Sequence, residues 1–190
     1  MPDAPEAESA PIADSVRLAL PKESAQLAEI QRRCWPDQFP AEVADVLLQE
    51  VTAEEMVEVW HGAITRPPQA RCRVLVAVEQ DRVVGFATTV PSDDPDADPA
   101  KDALVNEWLV DPPARGRGHG SRLLNAVVDT LRADGFTRAT TWLGSTEDVR
   151  RRVLTEAGWA TDGSHREVGP AETLVVKQLR LHTDITPDPT

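Results

Sequence analysis

Val110-Asp111-Pro112-Pro113-Ala114-Arg115-Gly116-Arg117-Gly118-His119-Gly120-Ser121 stands between an apolar run that ends at Val110 and a stretch carrying Leu123, Leu124, Val127, Val128 and Leu131. The first flank has the two-residue alternation of a strand and the second the one-sided spacing of a helix, so the segment is a strand-to-helix turn. Its glycines let the backbone turn tightly and bring several N–H groups close to a ligand. The new helix points its unpaired N–H groups and positive dipole end the same way. That makes an anion site, suited to a phosphate or pyrophosphate. A nucleoside-triphosphate loop would need four residues between its glycines, then Lys and Ser or Thr, and no such Lys is present. A dinucleotide fingerprint is disfavoured too: Gly116, Gly118 and Gly120 alternate strictly, Ser121 takes the third glycine's place, and Asp134 falls at a helix end rather than on the next strand.

Working outward, Leu104 to Val110 is the strand that feeds this turn, and Asp134-Gly135 ends the helix that leaves it. Upstream, Cys72 to Glu79 and Val83 to Val90 form an antiparallel hairpin across Gln80-Asp81, and the acidic stretch Ser92 to Asp102 is a surface loop. Val16 to Leu20 alternates as a half-buried strand. A helix capped by Ser24 carries Leu27, Ile30 and Cys34 and is stopped by Pro36 and Pro40. Helical spacing from Ala41 to Ala63 breaks near Thr52, leaving room for two shorter helices. Downstream, Arg138 to Leu143 is a strand, Thr146 to Ala157 a helix, and two strands follow from Trp159. The order predicts an α/β (α+β) layer structure with a mixed central sheet.

The chain has 190 residues with 41% hydrophobic and 27% charged, ordinary globular usage for one domain. We expect a folded unit over 15–182, with loose tails at 1–14 and 183–190. A net charge of −12 argues against nucleic acid as a partner, since phosphate neutralisation needs a basic surface. No window is long and apolar enough for a membrane span, and the acidic N-terminus lacks a secretory pattern, so a cytoplasmic protein is expected. Cys34 and Cys72 are too few for a disulfide framework, and no metal site is expected. Against this background Arg115, Arg117, His119 and Arg122 stand out as a basic cluster among glycines. The run Arg150 to Arg152 has the composition of a solvated helix face.

These residues resemble the GNAT superfamily of N-acetyltransferases. Its motif, a strand ending in Val-x-Pro, then Arg or Gln, two residues, Gly, one residue, and Gly or Ala, is met by Val110, Pro112, Arg115, Gly118 and Gly120. Gly158-Trp159 matches the family's Gly-aromatic pair some forty residues on. The resemblance covers about 16–181. It implies a mixed sheet of about seven strands flanked by about four helices, and acetyl-CoA as cosubstrate. In this chain the loop Arg115, Gly116, Arg117, Gly118, His119, Gly120 and Ser121 would hold the cosubstrate's pyrophosphate. Leu109 and Val110 would pair their backbone with the pantetheine arm. The reaction implied is direct attack of an amine on the thioester in a ternary complex, without an acyl-enzyme. The acceptor would be an amine-bearing small molecule or peptide, and the acidic face of the protein favours a cationic amine. A homodimer is open.

The chain departs from the family where a Tyr often protonates the leaving thiolate: Leu154 stands there, and the chain has no tyrosine. A thiol pKa of about 8.5 makes thiolate a tolerable leaving group near neutral pH, so water or a hydroxyl can suffice, with Ser145 as the candidate. Glu147 stands where the family usually has Asn. The attacking amine must lose a proton, and Glu107, three residues before Val110, is the first candidate for the base. The alternative is a solvent-facing strand residue, because family strands often carry a bulge that obscures facing. Asp93 and Asp94 are candidates for attracting a cation, Trp35 and Trp60 for shaping the acceptor pocket, and His119 for neighbouring the phosphate. The competing function is a non-catalytic acyl-CoA sensor or partner-binding module, kept open by the missing tyrosine.

Overall fold

The computed structural model describes residues 15–171 and 174–187, so the expected tail 1–14 and the last three residues of the expected tail 183–190 lie outside the described residues. One mixed sheet contains β1 (Ser15–Leu18), β2 (Arg73–Glu79), β3 (Arg82–Pro91), β4 (Asp102–Val110), β5 (Arg138–Gly144), β6 (Ala160–Ala171) and β7 (Leu174–Asp184). Their order across it is β1-β2-β3-β4-β5-β7-β6. Among the described residues five α-helices cover its faces: α1 (Ser24–Gln38), α2 (Ala41–Glu50), α3 (Ala53–Thr65), α4 (His119–Ala133) and α5 (Asp148–Glu156). The count is one above the expected four because 41–63 divides at Thr52, whose hydroxyl caps α3 by accepting from the Glu55 N–H. The β2–β3 hairpin turns at Gln80 and Asp81, both at positive φ, as a two-residue primed turn requires.

Two expected boundaries move. Pro36 does not stop α1, which runs on to Gln38 at the cost of one backbone hydrogen bond; Pro40 ends it and leads into α2. At the C-terminus β7 extends to Asp184, and Ile185, expected in a tail, is buried with its N–H donated to the Thr137 carbonyl.

The sheet separates two apolar layers. On one face Leu123, Val127 and Leu131 of α4, all at 0% exposure, pack with Leu154, Trp159, Val105 and Trp108. Each such side chain contributes about 1.5–3 kcal/mol by leaving water. On the other face Leu27, Ile30, Trp35, Met56 and Trp60 pack on Val76, Phe86 and Leu109.

Two irregularities position the site. The parallel pairing of β4 with β5 covers only Asp102 to Leu104 against Arg138 to Thr140, after which the strands splay. On its other side β4 pairs Glu107 with Thr88 but Val105 with Thr89, so Asn106 is an extra residue, a β-bulge. The bulge breaks the alternation: Ala103, Val105 and Trp108 join the α4 layer, whereas Leu109 joins the α1 layer. Glu107 is carried with Leu109 toward α1.

Candidate active site

Gly118, at φ 83°, is the left-handed residue from which α4 starts, a conformation that disfavours any side chain. From Gly116 to Ser121 the backbone N–H groups donate to no described residue; Arg122 is the first whose N–H returns to the helix, at the Gly118 carbonyl. The expected anion cradle is therefore geometrically present, and these residues fit a pyrophosphate. Trp108 braces it from below: its Nε1 donates to the Gly120 carbonyl (3.0 Å), and a Cβ on Gly120 would meet its ring at 3.4 Å. Arg33 ties the strand end to α1 through a bidentate pair with buried Asp111 (2.9 and 3.0 Å).

The basic side chains of the loop are already engaged. Arg115 pairs with Asp37 (2.6 Å) and donates to the Val110 carbonyl (3.2 Å), while Arg117 pairs with Glu79 (2.8 Å). The His119 ring is buried, and its Nε2, 3.4 Å from Glu79 Oε1, has no hydrogen-bond partner among the described residues. An anion at this loop would meet backbone amides and the helix start first, with the guanidinium groups already paired.

Beyond Leu104 the backbone ladder of β4 with β5 ends, the last link being Thr141 Oγ1 donating to the Val105 carbonyl (2.8 Å). The Asp111 N–H goes to Val84 on β3, so by alternation the peptide groups of Val110 and Trp108 point into the splay and Leu109 points to β3. Of the expected pair Leu109 and Val110, the Leu109 peptide faces β3 and the Val110 peptide faces the splay, its carbonyl accepting from Arg115 (3.2 Å). Arg150 reaches across from α5 to the Trp108 carbonyl (3.1 Å) and pairs with Glu147 (2.6 Å). The arginine run is thus split, Arg150 inward and Arg152 exposed. Glu147 closes the β5–α5 turn by accepting the Gly144 N–H (2.7 Å).

Glu107 opens into a cavity of about 110 Å³ lined also by Gln38, Phe39, Asn106, Trp142 and Arg166. Its carboxyl is pushed up to about 7, chiefly by burial and further by Glu147, against the opposing pull of Arg150 and hydrogen bonds from Gln31 and Gln38. Gln31 Nε2 donates to Glu107 (3.2 Å), and its amide orientation is set by Trp60 Nε1, a donor only, at Gln31 Oε1 (3.0 Å). The sequence reading missed these partners. The signal was there in polar Gln31, Cys34 and Gln38, three and four residues apart on the inner face of α1.

Other candidates fall elsewhere. Ser145 lies at the end of β5 with its N–H on the Lys177 carbonyl, outside the residues that line the cavity. Asp94 is occupied by Trp142 Nε1 (3.3 Å) and Arg180 (3.2 Å), and Asp93 is exposed. Trp35 is core, and Trp60 packs edge-on against Phe86. Leu154 is 1% exposed in the α4 layer, with no acid in the tyrosine's place. Among the described residues no group of three or more His, Cys, Asp or Glu side chains could hold a metal ion, and no helix is long and apolar enough to cross a membrane.

The model of the acetyltransferase (GNAT) family matches residues 24–159, the span containing the cradle, the splay and Glu107. The chain belongs to that family. A phosphinothricin N-acetyltransferase of Streptomyces coelicolor is 33% identical over 52% of this chain and 57% of its own length. An N-acetyltransferase of Streptomyces griseus is 30% identical over 56% of each. The chain thus matches a little over half the length of these relatives. Among solved structures, yncA of Salmonella typhimurium with its cofactor acetyl-CoA superposes at TM-score 0.69, 16% identity, over 94% of this chain and 98% of that one. The paia N-acetyltransferase of Thermoplasma acidophilum in complex with coenzyme A gives 0.65 at 12% identity over 88% and 98%. These two likenesses are of fold.

Proposed function

We propose that this protein transfers an acetyl group from acetyl-CoA to a primary amine of a small acceptor, by direct attack within a ternary complex. The observation that carries this is Glu107: a carboxyl with a pKa near 7, beside the unpaired edge of β4, at a cavity large enough for a small amine. The N–H groups of Gly116 to Ser121 would hold the pyrophosphate, and the Trp108 and Val110 peptides the pantetheine arm. When bound, acetyl-CoA supplies an acetyl group activated as a thioester.

Glu107 removes a proton from the ammonium of the acceptor, directly or through a water, and leaves the amine lone pair free. A base of pKa near 7 is half ionised at neutral pH and still strong enough to take the proton. Gln31 keeps one carboxyl oxygen occupied and so aims the other. We assign the Ser145 hydroxyl or solvent to the leaving thiolate, since the side chain at 154 offers no proton. The non-catalytic reading draws its support from Leu154, yet a sensor has no need of a poised base.

Release of free thiol from acetyl-CoA, followed with amino acids, polyamines, aminoglycosides and peptide N-termini as acceptors, tests the reading. An acceptor-dependent rate that Glu107→Gln reduces is the expected result. CoA binding with no acceptor-dependent thiol release would favour the sensor.

A further inference from the structure

The cavity carries both signs of charge: Glu107 and Glu147 line it together with Arg150 and Arg166. Arg150 enters it paired with Glu147, and Arg180 behind it is paired with Asp94, Asp96 and Asp162. Arg166, on β6, is different. Its Nε donates to Gln178 (2.8 Å), directly across on β7, and its guanidinium lies 4.3 Å from the Trp142 ring centroid. Among the described residues neither Nη nitrogen has a hydrogen-bond partner. Asp93 and Asp94 act on Arg166 only through space, and Asp94 is committed to Trp142 and Arg180. Burial pulls the Arg166 pKa down from its usual value, the mark of a cation losing water without gaining a carboxylate.

A half-buried guanidinium without a counter-ion is costly, and its two outer nitrogens form the fork that oxyanions fit. The platform is preformed: Gln178 holds one edge, Trp142 the face, and Asp94 holds Trp142. Arg166 and Glu107 line one small cavity.

We infer that the acceptor carries a small oxyanion beside its amine, a carboxylate or a phosphonate, and that Arg166 holds this oxyanion over Trp142 while the amine faces Glu107. This rests on the acetyl-transfer reading and narrows it from any primary amine to amino-acid-like zwitterions. It also narrows the expectation, drawn from net charge, of a cationic acceptor: beside its carboxylates the cavity presents a guanidinium whose outer nitrogens have no hydrogen-bond partner among the described residues.

The test compares kcat/KM for the L-amino acids, their carboxamides, 2-aminoethylphosphonate and spermidine, in the wild type and in Arg166→Gln and Arg166→Lys. We expect the wild type to prefer an acid over its carboxamide by at least about 10²-fold, the scale of an unpaired charge in a binding site. Arg166→Gln should collapse that ratio toward 1 and Arg166→Lys restore part of it, with CoA affinity unchanged in both. Turnover of the phosphonate and not the amino acids would identify the oxyanion as phosphorus-based. Equal use of acids and carboxamides, a preference for spermidine, or a ratio untouched in Arg166→Gln overturns the inference while leaving acetyl transfer standing. If no acceptor releases thiol, calorimetric binding of the same acids decides it separately: binding lost in Arg166→Gln supports the anion site, and no binding to the wild type refutes it.

Discussion

Glu107 combines two opposed demands in one side chain: burial penalises its charge, and the role assigned to it needs that charge. Its pKa near 7 fixes the signs. The carboxyl is raised above its value in the unfolded chain, so its contribution to stability is full while it is protonated, below about pH 4.5, and is lost as pH rises toward and through 7. Activity runs the other way, rising through the same window as the base ionises. Glu107→Gln cannot ionise; it should cut kcat about 10²- to 10⁴-fold, remove the limb near pH 7, and leave CoA affinity intact. The same variant should be more stable than wild type at pH 8 by roughly 1–3 kcal/mol and nearly equal to it at pH 5. Thermal unfolding at the two pH values checks this, and a wild-type enzyme no less stable at pH 8 than the variant would place Glu107 in water. Gly118 is the second residue whose chemistry is local. A Cβ there meets nothing closer than the Arg122 guanidinium at 3.9 Å, so substitution is penalised by the positive φ alone. Gly118→Ala should cost about 1–2 kcal/mol and weaken CoA more than Arg117→Ala does, because Arg117 is spent on Glu79. Calorimetry with CoA ranks the two, and the reverse order would mean that side-chain charge governs the loop.

Among the elements, β4 is the one on which the others converge. β3 holds one edge, the other leaves β5 after Leu104, the bulge at Asn106 turns Glu107 toward α1, and Trp108 supports the first turn of α4. Its position depends on Gly85 of β3, where a Cβ would stand 2.7 Å from the Leu109 carbonyl oxygen and 3.1 Å from Leu123. Backbone cannot step aside as a flexible side chain can, so Gly85→Ala should displace the strand end that carries the cofactor edge. We expect a loss of about 1–3 kcal/mol of stability together with a raised KM for acetyl-CoA, read from urea unfolding and initial rates. Stability lost with KM unchanged would show that α4 yields instead of β4. The continuation of α1 past Pro36 belongs to this scale too, because its last turn delivers Asp37 to Arg115 and Gln38 to Glu107.

In the molecule as a whole, Arg180 joins segments far apart in the chain. Its side chain is 5% exposed and gathers Asp94 and Asp96 from the acidic loop and Asp162 from β6. The loop that composition marks as a solvated patch is therefore pinned at two of its carboxylates. Arg180→Met removes the cation, leaving Asp94 the Trp142 Nε1 donor and Asp162 the longer pair with Arg138 (3.2 Å). With Asp96 itself mostly exposed, we expect a loss of roughly 2–4 kcal/mol, less than a fully buried pair would give. Denaturant unfolding measures it, and a change below about 0.5 kcal/mol would mean the loop is held by its backbone alone.

The division between what sequence determines and what tertiary structure decides follows the range of the interactions. The strand-turn-helix at 110–121, the Gln80-Asp81 turn, the Thr52 cap and the apolar stripe of α4 depend on residues within a few positions of one another. Backbone sterics and amide geometry therefore write them into contiguous sequence, and with them the family and its cofactor loop. The acceptor end of the site is not contiguous. Gln31 meets Glu107 across 76 positions, and Arg166 meets Trp142 only because β6 and β5 flank β7 in the sheet. Facing on β4 was illegible for a sharper reason: one inserted residue at Asn106 inverts the period-two pattern, and nothing in the neighbouring residue types marks where a bulge falls. Net charge says little of the cavity for the same cause, since folding pairs Asp94 and Asp96 of the 92–102 loop with Arg180. Sequence thus determined where the backbone leaves its amides unpaired at a helix start; only packing decided which side chains line the cavity at Glu107.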